Sequence, residues 1–202
     1  MCKKVVEIVV FLLIVNGLNA QKFMHSYGAT ISVMSAKLNS NAPGSIAAPN
    51  YNNFSVMQTC LTYYPRYNFI ENENSSVSIG MPLSVGIGLF TNVISDDAGI
   101  SFAYDLPIAL DYNIGFKSTR ENPKKFGYFF GAGFGYYRVD LSKSQYSNYT
   151  GASYGMIYRA GIRFGSSKAD WGNKGVMIGM FYKKGLEDAK FTTIGTHVLV
   201  DL

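Results

Sequence analysis

From Ile100 to Phe116 the chain alternates with a period of two. Ile100, Phe102, Tyr104, Leu106, Ile108, Leu110, Tyr112, Ile114 and Phe116 are apolar or aromatic. The residues between them, Ser101, Ala103, Asp105, Pro107, Ala109, Asp111, Asn113 and Gly115, are small or polar. A strand sends successive side chains to opposite faces. The stretch therefore reads as a strand with one apolar face and one small, polar face.

The pattern recurs along the chain. Val77, Ile79, Met81, Leu83, Val85, Ile87 and Leu89 oppose Ser76, Ser78, Gly80, Pro82, Ser84, Gly86 and Gly88. Tyr154, Met156, Tyr158, Ala160, Ile162 and Phe164 oppose Ser153, Gly155, Ile157, Arg159, Gly161, Arg163 and Gly165. Val176, Ile178, Met180 and Tyr182 oppose Met177, Gly179, Phe181 and Lys183, and Ile194, Thr196, Val198, Val200 and Leu202 oppose Thr193, Gly195, His197, Leu199 and Asp201. Weaker alternation covers Tyr27–Met34 and Met57–Phe69. One more stretch, FGYFFGAGFGYYRVDL (Phe126–Leu141), contains a G-x-G-x-G at Gly131, Gly133 and Gly135. A nucleotide-binding loop needs a strand before it and a helix after it. Here the spacing of two is that of a strand, and the glycines form a small-residue strip on one face, leaving room for lumen side chains such as Arg159 and Arg163. The reading is eight strands and no helix in the body of the chain.

Two closed architectures put such strands together. A lipocalin-like soluble barrel turns the apolar face inward and needs a charged exterior. A membrane barrel turns the apolar face to lipid and the polar face to a lumen. Charged residues are only 15% of this chain, against about 25% in soluble domains. The second face is made of Gly, Ser, Ala and Thr, which suits the narrow interior of an eight-stranded barrel. Backbone in lipid must be fully paired, so the sheet has to close. The expected fold class is all-β, an eight-stranded antiparallel up-and-down transmembrane β-barrel.

The first twenty residues, MCKKVVEIVVFLLIVNGLNA, place Lys3 and Lys4 before the apolar run Val9–Val15 and a small residue at Ala20. This is the layout of a cleaved export signal, and the run is short of the roughly 20 residues of a spanning helix. The expected division is a signal peptide over 1–20 and a barrel domain over 21–202. Cys2 would leave with the signal, so Cys60 has no disulfide partner and reads as a small packed residue. Without Lys3, Lys4 and Glu7, the 18 basic and 13 acidic residues become 16 and 12. That mild excess, with no dense basic run, gives no footprint for nucleic acid.

With both ends periplasmic, the outer loops fall near Lys37–Asn53, Thr91–Gly99, Leu141–Gly151 and Gly185–Ala189. The first is the longest and is rich in Asn, Pro and Gly. Periplasmic turns fall near Glu71–Ser75, Lys117–Lys125 and Ser166–Lys174. Trp171, Tyr136, Tyr137 and Tyr182 lie near strand ends, where aromatic girdles belong.

The inward face carries Asp105, Asp111, Arg66, Arg159, Arg163 and Lys183. An isolated buried charge costs several kcal/mol, so opposite charges must pair. Asp105 and Asp111 are expected to pair with arginines of this set and to plug the barrel; an ion path is the competing reading, and eight strands leave no continuous channel for it. Lipid-modifying chemistry needs a His beside a nucleophile near the outer rim. His25 lies near the start of the first strand and His197 lies mid-strand and inward, so neither reaches an outer loop. No His/Cys cluster suits a metal, and Asp96–Asp97 reads as a solvated turn. No cofactor is expected, and the chain reads as a non-enzyme.

The stretches YYPRYNF (Tyr63–Phe69), SIGMPLSVGIG (Ser78–Gly88), AYDLPIALDYNIG (Ala103–Gly115) and FYKKGLE (Phe181–Glu187) resemble the small outer-membrane β-barrel proteins of Bacteroidota, an OmpA/OmpX-like group of eight-stranded barrels. The resemblance implies residence in the bacterial cell outer membrane and insertion by the outer-membrane assembly machinery. Its implied surroundings are outer-membrane lipid and lipopolysaccharide. The family's usual insertion signal is a final strand ending in an aromatic; this chain ends in Leu202, with Thr193, Gly195, Val198 and Val200 keeping the spacing. A structural or interaction protein that displays loops is the expected function. Passage of a small hydrophobic molecule and a lipid-modifying enzyme are the alternatives. The extracellular partner is unknown from sequence.

Overall fold

A computed structural model describes residues 22–37, 54–92, 97–143, 146–165, 174–186 and 190–202. The expected leader over 1–20, most of the first long loop, Trp171 and Asp96 lie outside the described residues. Nine strands are present: β1 (Phe23–Lys37), β2 (Phe54–Glu71), β3 (Ser75–Gly80), β4 (Leu83–Asn92), β5 (Asp97–Gly115), β6 (Phe126–Lys143), β7 (Tyr146–Gly165), β8 (Gly175–Gly185) and β9 (Lys190–Asp201). Every pair of bonded strands is antiparallel, and β1 pairs with β9, which closes the ring. No helix occurs among the described residues.

The wall nevertheless has eight positions. β3 and β4 lie end to end, and both pair with β2 on one side and β5 on the other. They are one strand broken at Met81–Pro82. Proline has no N–H to give to a ladder, and Pro65 stands on β2 beside the break. The chain re-satisfies itself locally: the Met81 N–H donates to the Pro65 carbonyl at 3.0 Å, and the Leu83 N–H donates to the Met81 carbonyl at 2.8 Å. Parity survives the break because Pro82 keeps the inward position.

The alternation sets the two faces. Leu61 is 73% exposed and Leu89 67%, whereas Asp111 and Arg163 are 0% exposed. A surface with leucines outside and ionised groups inside is stable only in an apolar solvent, so the fold is a transmembrane β-barrel. The turn end of the barrel holds the start of β1, the end of β9 and the turns at 72–74 and 116–125. The loop end holds the opposite strand termini.

Four placements depart from the sequence reading. Phe116 was expected on the lipid face with Ile114, yet it is buried inside. Gly115 adopts φ +77°, a left-handed conformation open to glycine, which breaks the alternation and turns the next ring inward. Tyr137 was expected in an aromatic girdle but is buried in the lumen, on the parity of Gly133 and Gly135. The outer loop expected over Leu141–Gly151 is shorter, since β6 continues to Lys143 and β7 begins at Tyr146. The lumen is also not uniformly polar: at its loop end Met34, Val56, Cys60, Ala103, Tyr137, Val139 and Phe191 form one apolar cluster.

Candidate functional site

The lumen is built in layers, and strand parity brings each layer together. Below the apolar cluster, the Lys183 ammonium of β8 meets the Asp105 carboxylate of β5. Asp105 therefore takes the lysine of the expected set and not an arginine, because Lys183 and Asp105 face each other across the bore at one height. The Lys183 ammonium also lies 4.6 Å from the Phe181 ring centroid and 5.2 Å from that of Tyr137. A cavity of about 20 Å³ beside this pair is lined by Gln58, Asp105, Tyr137 and Lys183 among others. That is space for about one water.

The middle layer centres on Asp111. Its carboxylate accepts a hydrogen bond from the Tyr64 hydroxyl and faces Arg159 Nε at 3.5 Å. Gly131 of β6 sits in register between Asp111 of β5 and Arg159 of β7. A β-carbon at Gly131 would strike the Asp111 carboxylate, so the glycine is what lets the two charged groups meet across an intervening strand. All three glycines also let β5 come close: a β-carbon would meet the Leu110 carbonyl at Gly131, Ile108–Ala109 at Gly133 and Pro107 at Gly135. The Arg159 guanidinium lies 4.3 Å from the Tyr64 ring centroid, and Phe129 has Arg159 at 5.0 Å and Arg163 at 4.7 Å. Cation–π contact of this kind is strongest where water is excluded. His197 stacks between Phe129 and Phe181, with centroids 6.2 and 6.1 Å away.

The lowest ionic layer contains a carboxylate the expected set omitted. Asp201 of β9 faces Arg163 Nε at 3.6 Å and accepts from the Ser26 hydroxyl. The acceptors that Arg66 donates to here are neutral. Its Nη1 donates to Asn113 Oδ1 at 3.1 Å, and Arg163 Nη1 donates to the same oxygen at 2.8 Å. Asn113 is held for this by its own amide, which donates to Ser78 Oγ at 2.9 Å. Its signal was present in the sequence, as an inward amide two residues from Asp111, but a neutral residue does not announce itself as part of a charge network.

The turn at 116–125 closes the bottom. The Phe116 ring fills a notch left by Gly165 and Gly175, which are paired across β7 and β8. Arg66 Nη2 donates to the Lys117 carbonyl at 2.5 Å, and Asn68 Nδ2 donates to the Ser118 carbonyl at 2.8 Å. Ser76 Oγ donates to that carbonyl at 2.6 Å, and Asn122 Nδ2 reaches the Glu73 carbonyl at 2.9 Å. Lys117 Nζ donates to the Leu202 carbonyl at 3.1 Å. Burial holds the Lys117 ammonium below the ordinary lysine pKa, partly offset by Asp201. The expected periplasmic turn is thus a cork, against which β2, β3, β7 and β8 hydrogen-bond or pack, with Leu202 just past β9.

The structure brings Arg66, Arg159, Arg163, Lys183, Asp105 and Asp111 into one bore. His25 stays apart at the turn end of β1, where Nδ1 and the Tyr63 hydroxyl are 2.5 Å apart. Among the described residues no group of three or more His, Cys, Asp or Glu could hold a metal.

No protein-family model matches the chain, and no curated protein matches it. Among solved structures, Neisserial surface protein A aligns with a TM-score of 0.55 at 12% identity, over 90% of this chain and 96% of that one. The two share a fold. The outer membrane protein OprG of Pseudomonas aeruginosa aligns at 0.48 and 13% identity, over 89% and 91%. Ail, the attachment invasion locus protein of Yersinia pestis, aligns at 0.46 and 14%, over 89% and 97%.

Proposed function

We propose that this chain is an integral protein of a bacterial outer membrane that works as a sealed scaffold, holding its loop-end segments at the cell surface for contact with a partner. The observation that carries the reading is the double closure of the bore: an apolar layer at the loop end and a hydrogen-bonded cork at the turn end, with the ionic layers between. Export by the leader over 1–20, insertion by the assembly machinery and the kinship with small Bacteroidota barrels belong to the same proposal. Catalysis is not part of it, since the two histidines stand at the turn end and within the packed lumen, away from the loop-end rim.

Two measurements test the reading. Planar bilayers should record no steady current from the wild type, and none from Arg159→Ala, because the cork and the apolar layer remain; a steady open-channel current from the wild type would refute the sealed scaffold. Deleting residues 41–50 should leave the barrel folded but reduce surface binding or raise detergent sensitivity and vesicle release. If none of these changes, loop display is the wrong function.

A further inference from the structure

The outer wall carries a trough that the sealed lumen does not use. It has a volume of about 890 Å³ and runs from β1 to β6. Leu61, Val85 and Leu106 line it, with Tyr104 and Tyr136 beside them, and Arg138 and Asp140 stand at its β6 end. These side chains share the lipid-facing parity, with Gly28, Thr62 and Ser84 of the inward parity completing the lining, so the medium on the outward side of the trough is lipid.

The position of Arg138 decides the occupant. Outward side chains on β6 are apolar or aromatic from Phe126 to Tyr136, eleven residues, matching the 9–11 that cross the hydrocarbon. Arg138 is the next outward residue. On β6 the apolar run therefore ends at Arg138, whose side chain is 46% exposed. At the end of this apolar run, phosphate is the anion that a membrane supplies to a guanidinium. Asp140 accepts from Nε at 3.0 Å, fixing the group through one edge. The fork of Nη donors is the geometry that takes a phosphate bidentately.

We propose that the trough seats an acyl chain of a phosphate-bearing membrane lipid, with Arg138 holding the phosphate. This rests on the reading of the chain as a membrane barrel and adds a bound lipid to it.

The test is native mass spectrometry of the full-length protein released from micelles. The micelles are doped in turn with dipalmitoyl phosphatidic acid, with dipalmitoylglycerol as the same chains without phosphate, and with inorganic phosphate. Phosphatidic acid should bind one to one and outcompete dipalmitoylglycerol. Arg138→Gln should lower its occupancy about tenfold, about 1.4 kcal/mol, and leave dipalmitoylglycerol unchanged. Val85→Trp, which fills the trough, should lower both. Equal binding of phosphatidic acid to wild type and Arg138→Gln overturns the proposal, as does inorganic phosphate binding alone. A second copy of the chain displacing the lipid overturns it too. Insertion into lipid vesicles, read by heat-modifiable gel migration, is scored separately: a chain that does not insert overturns both readings, and one that inserts but ignores Arg138→Gln overturns only this one.

Discussion

Asp111 illustrates how a bore this narrow can contain charge. The carboxylate has Tyr64, Arg159 and an intervening glycine arranged around it, and none of these groups can be removed independently. Breaking a buried pair leaves its partner ionised in a low-dielectric site, which costs about 3–5 kcal/mol. Asp111→Ala should therefore lower stability to urea unfolding in micelles by about that amount. Replacing both partners by apolar groups is often close to neutral, so Asp111→Leu with Arg159→Met should recover most of the loss. Parity alone identified Asp111 and Arg159 as inward residues. It could not choose between Arg159 and Lys183 as the partner of Asp105, because that depends on which residues stand at one height, and height is set by the stagger of the closed sheet.

Among the elements, the departure from regular alternation at Gly115 is what turns the 116–125 segment into the end of the barrel. The Met81–Pro82 break leaves the faces unchanged, so a reading based on parity passes over it. Gly115 reverses the parity of Phe116, and the ring then finds the Gly165–Gly175 notch. Glycines on β7 and β8 look from sequence like the same smooth strip as Gly131–Gly135, and their purpose appears only when a ring from a turn some fifty residues away lands on them. Gly165→Val should expel Phe116 and loosen the cork. The expected readout is faster proteolysis at 117–125 in the purified barrel, with the strand content by circular dichroism unchanged. Unaltered cleavage would show that the notch does not hold the turn.

At the scale of the whole molecule, the barrel is an inside-out protein, and its outer wall is as demanding as a core. Ile108 is 49% exposed and stands on the lipid face of β5. In a water-soluble barrel an arginine at a half-exposed site would be nearly neutral. In a bilayer, Ile108→Arg should cost about 2–4 kcal/mol if the site lies near the midplane, read as a drop in folding free energy into lipid vesicles. An unchanged folding free energy would contradict a lipid-facing wall. The glycine, serine and alanine face permits a bore only wide enough for side chains, so sealing follows from composition as much as from the particular residues that do it.

The local chemistry of each strand, meaning its existence, its two faces and the inward direction of its charges, was legible along the chain. These follow from a period of two that survives any arrangement of the strands. Which inward groups meet, the joining of Asn113 and Asp201 to the ionic layers, and the closing of the two ends by an apolar cluster and a folded-in turn came from the folded barrel. Those features depend on closure and stagger, which place residues distant in sequence at one height in the bore, and alternation along a single strand carries no information about height.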